Sequence, residues 1–514
     1  MTDKAELSSL STQTKLMPLG NKHPDILLAI CPPWGVVNPP LGPAYLAANL
    51  KQRGLIVDVL DINAHLHKLA IEDEKGLWLL KNDNVWRKAE QVDGLFCRWQ
   101  EAVSDLAGKI VASGVPVVGF TIIDPNEFFT SRFIQLLKEK SPQLLVLAGG
   151  PGCEAQGQRE FLTRESAGGI DYFFVGEGEW VLSEFLLSKK RGEVTGLSQV
   201  IPAHDEPQYK ASIPQVDLES IVSPSFEEFD MQLYSGESLA VMWSRGCIGR
   251  CLYCKEKALW GRYRCRPVAA IVAELKAYIL RYAADNFVVY DSAINGNPKH
   301  LEAICEAIFA ESLDISWSGE AIALKSLSEE LLTKMRRAGC HTLVYGIESG
   351  SDNVLTSMGK LSNSRDAGEV IRRTHKAGIK VAVNILVGFP GETESDLQMT
   401  VDFLRRHARW IDRIDSVSTL QIVTDTPLAA KIHDFDLVLP DFEPHDKWQC
   451  RDKSNTYEIR QQRLQTILTV AGDEGFEIGR TFLNENRRTE GRGRDGRILS
   501  QLWQKLKTGI GIKG

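Results

Sequence analysis

The chain has 514 residues, of which 43% are hydrophobic and 25% are charged. This is the composition of an ordinary globular protein and excludes a disordered or membrane-embedded chain. Its length exceeds what one hydrophobic core usually organises, so we expect two substantial domains. The formal net charge of -7 offers no basic field to a polyanion, and we therefore expect no nucleic-acid partner. The N-terminus has no apolar signal core and no later run reaches the roughly 20 apolar residues of a membrane span, which predicts a cytoplasmic protein without a transmembrane segment.

The first half of the chain alternates strands and helices. Apolar runs such as DILLAIC and VPVVGFTII are each followed by a turn and a helix. Continuous apolar strands are buried on both faces, so residues 24–199 should form an α/β domain, a doubly wound, Rossmann-like parallel sheet. Residues 1–23 are expected to be a flexible N-terminal tail, and residues 200–236, rich in Pro, Ser and acidic side chains, a linker.

An insertion near 69–105 contains Trp78, Trp86, Phe96 and Trp99. These rings could shape the pocket of a bulky apolar substrate or simply pack in the core.

A second alternation of strands and helices begins near residue 237. Six apolar strands, from SLAVMWS to VSTLQIV, predict a partial (β/α)6 barrel of the TIM type over 237–430. The alternation fades beyond 430, so 431–514 should be a small C-terminal region that shapes the substrate pocket and is mobile around 487–497. The segment 487–514 is basic and ends in a short amphipathic pattern, which favours a solvated terminal helix over a peripheral membrane or partner contact.

Three of the ten cysteines are close together in sequence. Cys247, Cys251 and Cys254 form a CxxxCxxC triplet in the loop after the first barrel strand. Thiolates are the ligands that iron–sulfur clusters prefer, and three of them leave the fourth iron of a [4Fe–4S] cluster open. A zinc site normally needs four Cys or His ligands, for which Cys265 could be the fourth. The spacing favours the cluster, with a non-catalytic zinc-binding scaffold protein as the alternative from another class.

The triplet, with Tyr253 before its last cysteine, resembles the radical S-adenosylmethionine superfamily. The resemblance implies that the open iron binds S-adenosylmethionine, which is split to a 5'-deoxyadenosyl radical by an electron from a donor such as flavodoxin or ferredoxin. Motifs after the later strands, such as YDSAIN, SWSGE, IESGS and NILVGFPG, extend the resemblance to about 240–430. They imply S-adenosylmethionine-binding roles for Tyr253, Asp291, Ser292, Ser318, Glu320, Glu348, Ser349, Asn384, Gly388 and Gln421. Asp291 and Glu348 could instead cap helices or pair with arginines.

The first domain adds a second resemblance. The segments PPLGPAYLAANLKQRG, AGGPG and YFFVGEGEWVL ahead of the barrel resemble the cobalamin-binding, class B methyltransferase-like members of the same superfamily. By position, this implies that cobalamin is held by Thr121, Gly149, Gly150, Gly176, Glu177 and Gly178.

The family's Asp-x-His-x-x-Gly motif, which supplies a lower cobalt ligand, is absent, because the first loop is CPPWGVVNPPLG. His65 and His67 follow the second strand, where a core or surface role is favoured. The lower face of cobalt should therefore meet water, nothing, or a loop side chain such as Trp34 or Asn38. Loss of cobalamin binding is the alternative.

Taken together, the resemblance implies that one S-adenosylmethionine methylates cobalt(I) and a second yields the radical. The expected activity is methylation of an unactivated carbon of a small-molecule biosynthetic substrate. A cobalamin-dependent cyclase or rearrangement enzyme without net methyl transfer is the alternative. The sequence predicts neither the substrate nor a catalytic side chain.

Overall fold

A computed structural model describes residues 23–191, 196–204, 214–423, 425–440 and 446–481. The predicted tail up to residue 22 and the predicted terminal helix and basic segment at 487–514 lie outside these residues. In the described part, no helix is both long enough and apolar enough to cross a membrane.

The first domain is built on a six-stranded sheet with the order β2-β1-β3-β4-β5-β6. The first five strands are parallel, and β6 pairs antiparallel with β5. The strands are β1 (Ile26–Ile30), β2 (Val57–Asp61), β3 (Val117–Thr121), β4 (Leu145–Gly149), β5 (Tyr172–Phe174) and β6 (Val200–Pro202). The helices are α1 (Leu41–Gln52), α2 (Ile62–Leu69), α3 (Glu72–Lys75), α4 (Ala89–Arg98), α5 (Gln100–Ala112), α6 (Glu127–Lys140), α7 (Gln156–Glu165) and α8 (Gly178–Arg191).

Helices cover both faces of this sheet, which confirms the doubly wound prediction. All five residues of β1 are buried, and successive residues belong to different cores. Ile26 and Leu28 pack with α1 and α8, whereas Leu27 and Ala29 pack with α2, α4, α5, α6 and α7. Since successive side chains of a strand point to opposite faces, a strand with no polar alternation must lie between two apolar layers.

The insertion after α2 folds into the core of the first domain. Trp78, Trp86 and Trp99 pack against one another with ring centroids 5.4–6.1 Å apart, and Trp86 is fully buried beside Phe129. The structure therefore uses these rings for core packing and not to line a substrate pocket.

The second domain is a seven-stranded parallel sheet with the order β17-β14-β13-β12-β11-β10-β7. Its strands are β7 (Leu239–Val241), β10 (Asn286–Val289), β11 (Ser316–Ala321), β12 (Cys340–Glu348), β13 (Lys380–Val387), β14 (Arg413–Thr419) and β17 (Glu477–Thr481). Two short antiparallel pairs, β8 (Ser244–Arg245) with β9 (Arg264–Cys265) and β15 (Leu437–Val438) with β16 (Gln449–Cys450), lie outside it. Its helices are α9 (Glu256–Trp260), α10 (Val268–Tyr282), α11 (Pro298–Ala310), α12 (Glu329–Arg337), α13 (Asp352–Met358), α14 (Ser364–Lys376), α15 (Glu394–His407) and α16 (Tyr457–Asp473).

Side-chain caps set the start of most barrel helices. A Ser, Thr or Asn oxygen accepts a backbone N–H of the first turn and satisfies a donor that the helix itself leaves free. The capping residues are Asn297, Ser328, Ser351, Asn363, Thr393 and Thr456.

The sequence predicts six barrel strands that end near residue 430, and the structure adds a seventh, β17, from the C-terminal region. The structure places β17 beside β14 and packs Leu464, Ile467 and Val470 of α16 into the barrel core. The strand sequence EIGRT has a single apolar residue and lies at the edge of the sheet, so it carries no strand signal.

The predicted linker also packs against both domains. Its first residues form β6, and Phe226, Phe229, Leu233 and Tyr234 are buried in the barrel core. The Tyr234 hydroxyl donates to Asp61 at the end of β2, with an O–O distance of 2.6 Å. The segment therefore fixes the first domain against the barrel, even though its composition predicts an unstructured connection.

Candidate functional site

The three clustered cysteines lie in the loop of a short hairpin at the carboxyl end of β7. Strands β8 and β9 pair Ser244 with Cys265 and Arg245 with Arg264, and residues 246–263 form the loop between them. Gly246 has a φ of +79° and a Cβ there would lie 3.0 Å from the Arg262 carbonyl oxygen, so the two ends of the loop approach closely. The β8–β9 pairing therefore holds the two ends of the loop together.

The thiols are half-buried and near one another. A Cβ on Gly249 would lie 3.3 Å from the Cys247 Sγ and 3.7 Å from the Cys251 Sγ, and glycine leaves that space open. The Gly249 N–H donates to Cys247 Sγ at 3.3 Å, and the Glu256 N–H donates to Cys254 Sγ at 3.5 Å. Burial raises the pKa of the Cys254 thiol to about 12, and the neighbouring sulfurs contribute to the rise.

This donor set fits an iron–sulfur cluster. Three thiols on one loop with N–H donors aimed at the sulfurs are what such clusters use, and the cationic cluster would stabilise the thiolates that burial disfavours. Among the residues that the structure describes, no group of three or more His, Cys, Asp or Glu side chains is arranged to hold a single metal ion.

Glu348, at the end of β12, forms a charged corner beside the cysteine loop. Its φ is +67°, which a residue with a side chain adopts only under constraint. Lys360 Nζ lies 3.5 Å from Glu348 Oε1, and both side chains are largely buried. Burial raises the pKa of the neighbouring Tyr253 hydroxyl, and the charge of the Glu348 carboxylate adds to the rise. A Cβ on Gly346 would lie 2.6 Å from Glu348 Oε1, so the glycine leaves space for the Glu348 carboxylate.

The lumen of the barrel receives several of the other predicted side chains. Ser318 and Glu320 alternate along β11 with Trp317 and Ala321, which are buried in the core, and so face the inside. Ser292 bonds to Glu256 of the cysteine loop. In addition, Asn384 on β13 accepts a 2.8 Å hydrogen bond from Ser416 on β14, while Gln421 is exposed beyond β14.

Asp291 has a structural role in addition to its place near the site. The Trp243 N–H and the Ser244 hydroxyl donate to its buried carboxylate at 2.8 and 2.5 Å. Burial raises the pKa of Asp291 to about 6. The carboxylate therefore braces the strand that enters the cysteine loop.

Two predicted ligands, Ser349 and Gly388, lie in interior networks instead. Ser349 is fully buried and shares a hydrogen bond with the Thr400 hydroxyl. The Gly388 N–H donates to Glu392, and a Cβ on Gly388 would lie 2.3 Å from the stem of Arg460. Both residues therefore contact interior side chains of the second domain.

Gly388 and Gly391 distinguish two ways in which replacing a glycine destabilises a protein, namely backbone strain and steric overlap. Both have a positive φ, +83° and +84°, but nothing lies within 4 Å of a Cβ on Gly391. Arg460 is fully buried and its guanidinium donates to the carbonyls of Asp446 and Trp448, so it cannot move aside.

We expect Gly388→Ala to lower the free energy of unfolding by about 2–4 kcal/mol and Gly391→Ala by about 1–2 kcal/mol. Urea denaturation of both variants measures the difference. Equal losses would contradict the close packing of Arg460 on Gly388.

The glycine-rich loops of the first domain form a rim at the carboxyl ends of β3, β4 and β5. Gly150 has a φ of +100°, and a Cβ there would lie 2.8 Å from the Ile122 carbonyl oxygen. Thr121 and Gly149 end β3 and β4 as paired residues. The Gly176 N–H donates to Glu154 at 2.9 Å. The rim faces the cysteine loop, because Glu177 on the rim binds Arg245 and Arg264 at the two ends of that loop.

Glu177 is bound to the barrel and not free to hold a ligand with its carboxylate. Arg264 donates to it in a bidentate pair at 2.9 and 3.0 Å, and Arg245 donates at 2.9 Å. Gly178 begins α8, with a Cβ position 3.0 Å from Leu46. The sequence did not predict these ion pairs, since contacts between domains cannot be read from one segment, and the role of Glu177 at the cobalamin rim stays a prediction.

The residues considered for the lower face of cobalt lie near the ends of β1 and β2. The backbone N–H of Trp34 donates to Asn63 Oδ1 at 2.9 Å, and the side chains of Trp34 and Asn38 are half-buried. The His65 Nδ1 donates to the Asp61 carbonyl, and the His67 ring packs edge-on against Trp78.

Sequence analysis missed Lys360 and Arg245. Lys360 ends the segment SMGK after α13, and its only sequence signal is a cation close to a strand-end Glu. Arg245 stands two residues before Cys247, and nothing in the sequence indicates its acidic partners.

Comparison with known proteins agrees with this geometry. Residues 241–404 match the Radical SAM superfamily. An uncharacterised methyltransferase of Pyrococcus horikoshii is 26% identical over 382 residues, which are 72% of this chain and 74% of the relative.

Two solved proteins have the same fold over most of the chain. The methyltransferase TsrM of Kitasatospora setae, with cobalamin and a [4Fe–4S] cluster bound, gives a TM-score of 0.63 at 16% identity and covers 95% of this chain and 99% of its own. TsrM with tryptophan substrate and an S-adenosylmethionine analogue bound gives a TM-score of 0.60 at 17% identity, and the match covers 85% of this chain and 83% of TsrM. The cobalamin-dependent S-adenosylmethionine radical enzyme OxsB, with aqua-cobalamin and S-adenosylmethionine bound, gives a TM-score of 0.65 at 13% identity. The match covers 95% of this chain and 71% of OxsB.

Proposed function

We propose that this chain, whose residues 241–404 match the Radical SAM superfamily, is a cobalamin-dependent radical enzyme that methylates an unactivated carbon of a small biosynthetic molecule. The observation that carries the proposal is the contact between the first-domain rim and the cysteine loop. Glu177 on the rim binds Arg245 and Arg264, which flank the loop of the three cysteines. A flat ligand on the rim would therefore face a cluster held by that loop.

The residues of the chain divide this work between them. When bound, the cluster and S-adenosylmethionine supply a carbon radical, and cobalamin supplies the methyl group. Cys247, Cys251 and Cys254 would hold the cluster. Lys360 and Tyr253, with Glu348 between them, would bind the charged and hydrogen-bonding groups of S-adenosylmethionine.

The rim and the lumen would bind the other two molecules. Gly149, Gly150, Gly176 and Gly178 allow a corrin to approach the backbone. The small polar side chains of the lumen, such as Ser318 and Asn384, leave space for a substrate. A small-molecule substrate agrees with TsrM, whose structure holds tryptophan. The proposal also requires a one-electron donor, for which flavodoxin or ferredoxin is the expected class.

The test is anaerobic reconstitution followed by incubation with methyl-labelled S-adenosylmethionine and an extract of cells that lack the protein. We expect an absorption band at about 400 nm that bleaches on reduction, bound cobalamin, and label in a new small-molecule product. Formation of 5'-deoxyadenosine without label transfer would replace methylation by cyclisation or rearrangement. A colourless protein that binds zinc would overturn the enzyme proposal, and a protein with a cluster that binds no corrin would overturn the role of the first domain.

A further inference from the structure

Four buried charges join the two domains at the base of the cysteine loop. Arg245 donates to Glu177 and to Glu179, and Arg264 donates to both oxygens of Glu177. The exposed fractions of these four side chains lie between 2% and 10%. Since buried ion pairs resist separation, the rim and the hairpin must move as one unit.

Neighbouring groups hold the two arginines in place. Arg264 also donates to the carbonyls of Val216 and Trp260, at 2.6 and 3.0 Å. The Arg245 guanidinium lies over the rings of Trp260 and Tyr45, 5.0 and 5.4 Å from their centroids. Arg245 therefore contacts the rim, α1 and the helix of the cysteine loop at the same time.

The rim is bound to the chain directly before the cysteine triplet. Arg245, which donates to Glu177, precedes Cys247 by two residues. Glu177 stands between Gly176 and Gly178, so a ligand seated on these glycines lies next to a residue that is bound to the cluster loop.

We propose that Glu177 is a positioning residue whose ion pairs couple occupancy of the cobalamin rim to S-adenosylmethionine binding at the cluster. This inference rests on the proposed function. A ligand that displaces the rim displaces the hairpin with it, because Glu177 binds both Arg245 and Arg264. By linkage, each ligand changes the affinity of the other by the same factor.

The test measures the affinity of the full chain with its cluster for S-adenosylmethionine, with and without saturating cobalamin. In the wild type we expect cobalamin to change this affinity by about 5-fold or more, and to change the electron paramagnetic resonance spectrum of the reduced cluster with S-adenosylmethionine bound. In Glu177→Gln both ligands still bind, but the ratio of the S-adenosylmethionine affinities with and without cobalamin falls to near one. Glu179→Gln, which leaves the Glu177–Arg264 pair intact, should give an intermediate factor and serves if Glu177→Gln does not fold.

The matched control is Glu184→Gln, because Glu184 pairs with Arg53 inside the first domain and does not reach the barrel. It should keep the wild-type factor. The inference is overturned if cobalamin does not change the affinity of the wild type for S-adenosylmethionine. It is also overturned if Glu177→Gln and Glu179→Gln both keep the affinity change of the wild type. A wild-type protein that binds no cobalamin would instead overturn the proposed function itself.

Discussion

Replacing Cys247, Cys251 and Cys254 together by Ala should remove the iron–sulfur cluster and abolish cleavage of S-adenosylmethionine. Iron content should fall from about four atoms per chain to background, because Cys265 on β9, a free thiol beside the loop, could replace at most one of the three ligands. Cobalamin binding should persist, because the glycine-rich rim belongs to a different sheet with its own cores. Iron analysis, the absorption spectrum and corrin retention on gel filtration measure the three effects.

Cys97→Ala is the matched control for this prediction. Cys97 is an exposed cysteine on α4 in the first domain, so its loss should leave iron, spectrum and activity unchanged. The prediction fails if the triple variant keeps its iron. Loss of cobalamin together with the cluster would instead indicate that the rim depends on the loop for its structure.

Lys360→Met should weaken S-adenosylmethionine binding by about 30-fold, or about 2 kcal/mol, without loss of iron. Lys360 is a largely buried cation beside the cysteine loop, and its charge opposes the rise that burial causes in the pKa of Cys247. Methionine keeps the length of the side chain but removes the charge, so the carboxylate of the cofactor loses a partner and Glu348 loses its counter-ion. Equilibrium binding of S-adenosylmethionine to the reconstituted protein measures the effect.

Lys360→Arg retains the charge and should recover most of the affinity. Lys325→Met removes an exposed lysine that pairs with Asp366 and should have no effect. Wild-type affinity in Lys360→Met would exclude this lysine from the cofactor site. Loss of iron would show that the lysine acts on the cluster loop instead.

The main elements of the fold could be predicted because their signals are local. The buried parallel strands appear as continuous apolar runs, and the barrel helices begin at Ser, Thr or Asn caps. The predicted architecture, a Rossmann-like sheet followed by a partial barrel, is confirmed by the sheets and by the likeness to TsrM and OxsB. The resemblance of the cysteine loop to the radical S-adenosylmethionine superfamily is confirmed by the family match over 241–404.

The finer assignments depended on which side of a strand or loop a residue faces. Glu348 lies beside the cysteine loop with Lys360, whereas the side chain of Ser349, its neighbour, lies in a buried hydroxyl network. Gly388 lies on the predicted loop, where the close approach of the buried Arg460 of α16 requires a glycine. The insertion rich in Trp packs inward, and β17 joins the barrel from a region without a strand pattern.

The sequence by itself determined the chemistry of the cysteine loop and the order of the two α/β domains, because thiol spacing and apolar runs act over a few residues. Only the tertiary structure decided what holds the loop in place. Arg245 and Glu177 are 68 positions apart, and their pairing exists only because the rim of one sheet meets the hairpin of the other. The CxxxCxxC triplet therefore stands at the junction of two domains, with its geometry set by buried charges that no local pattern reveals.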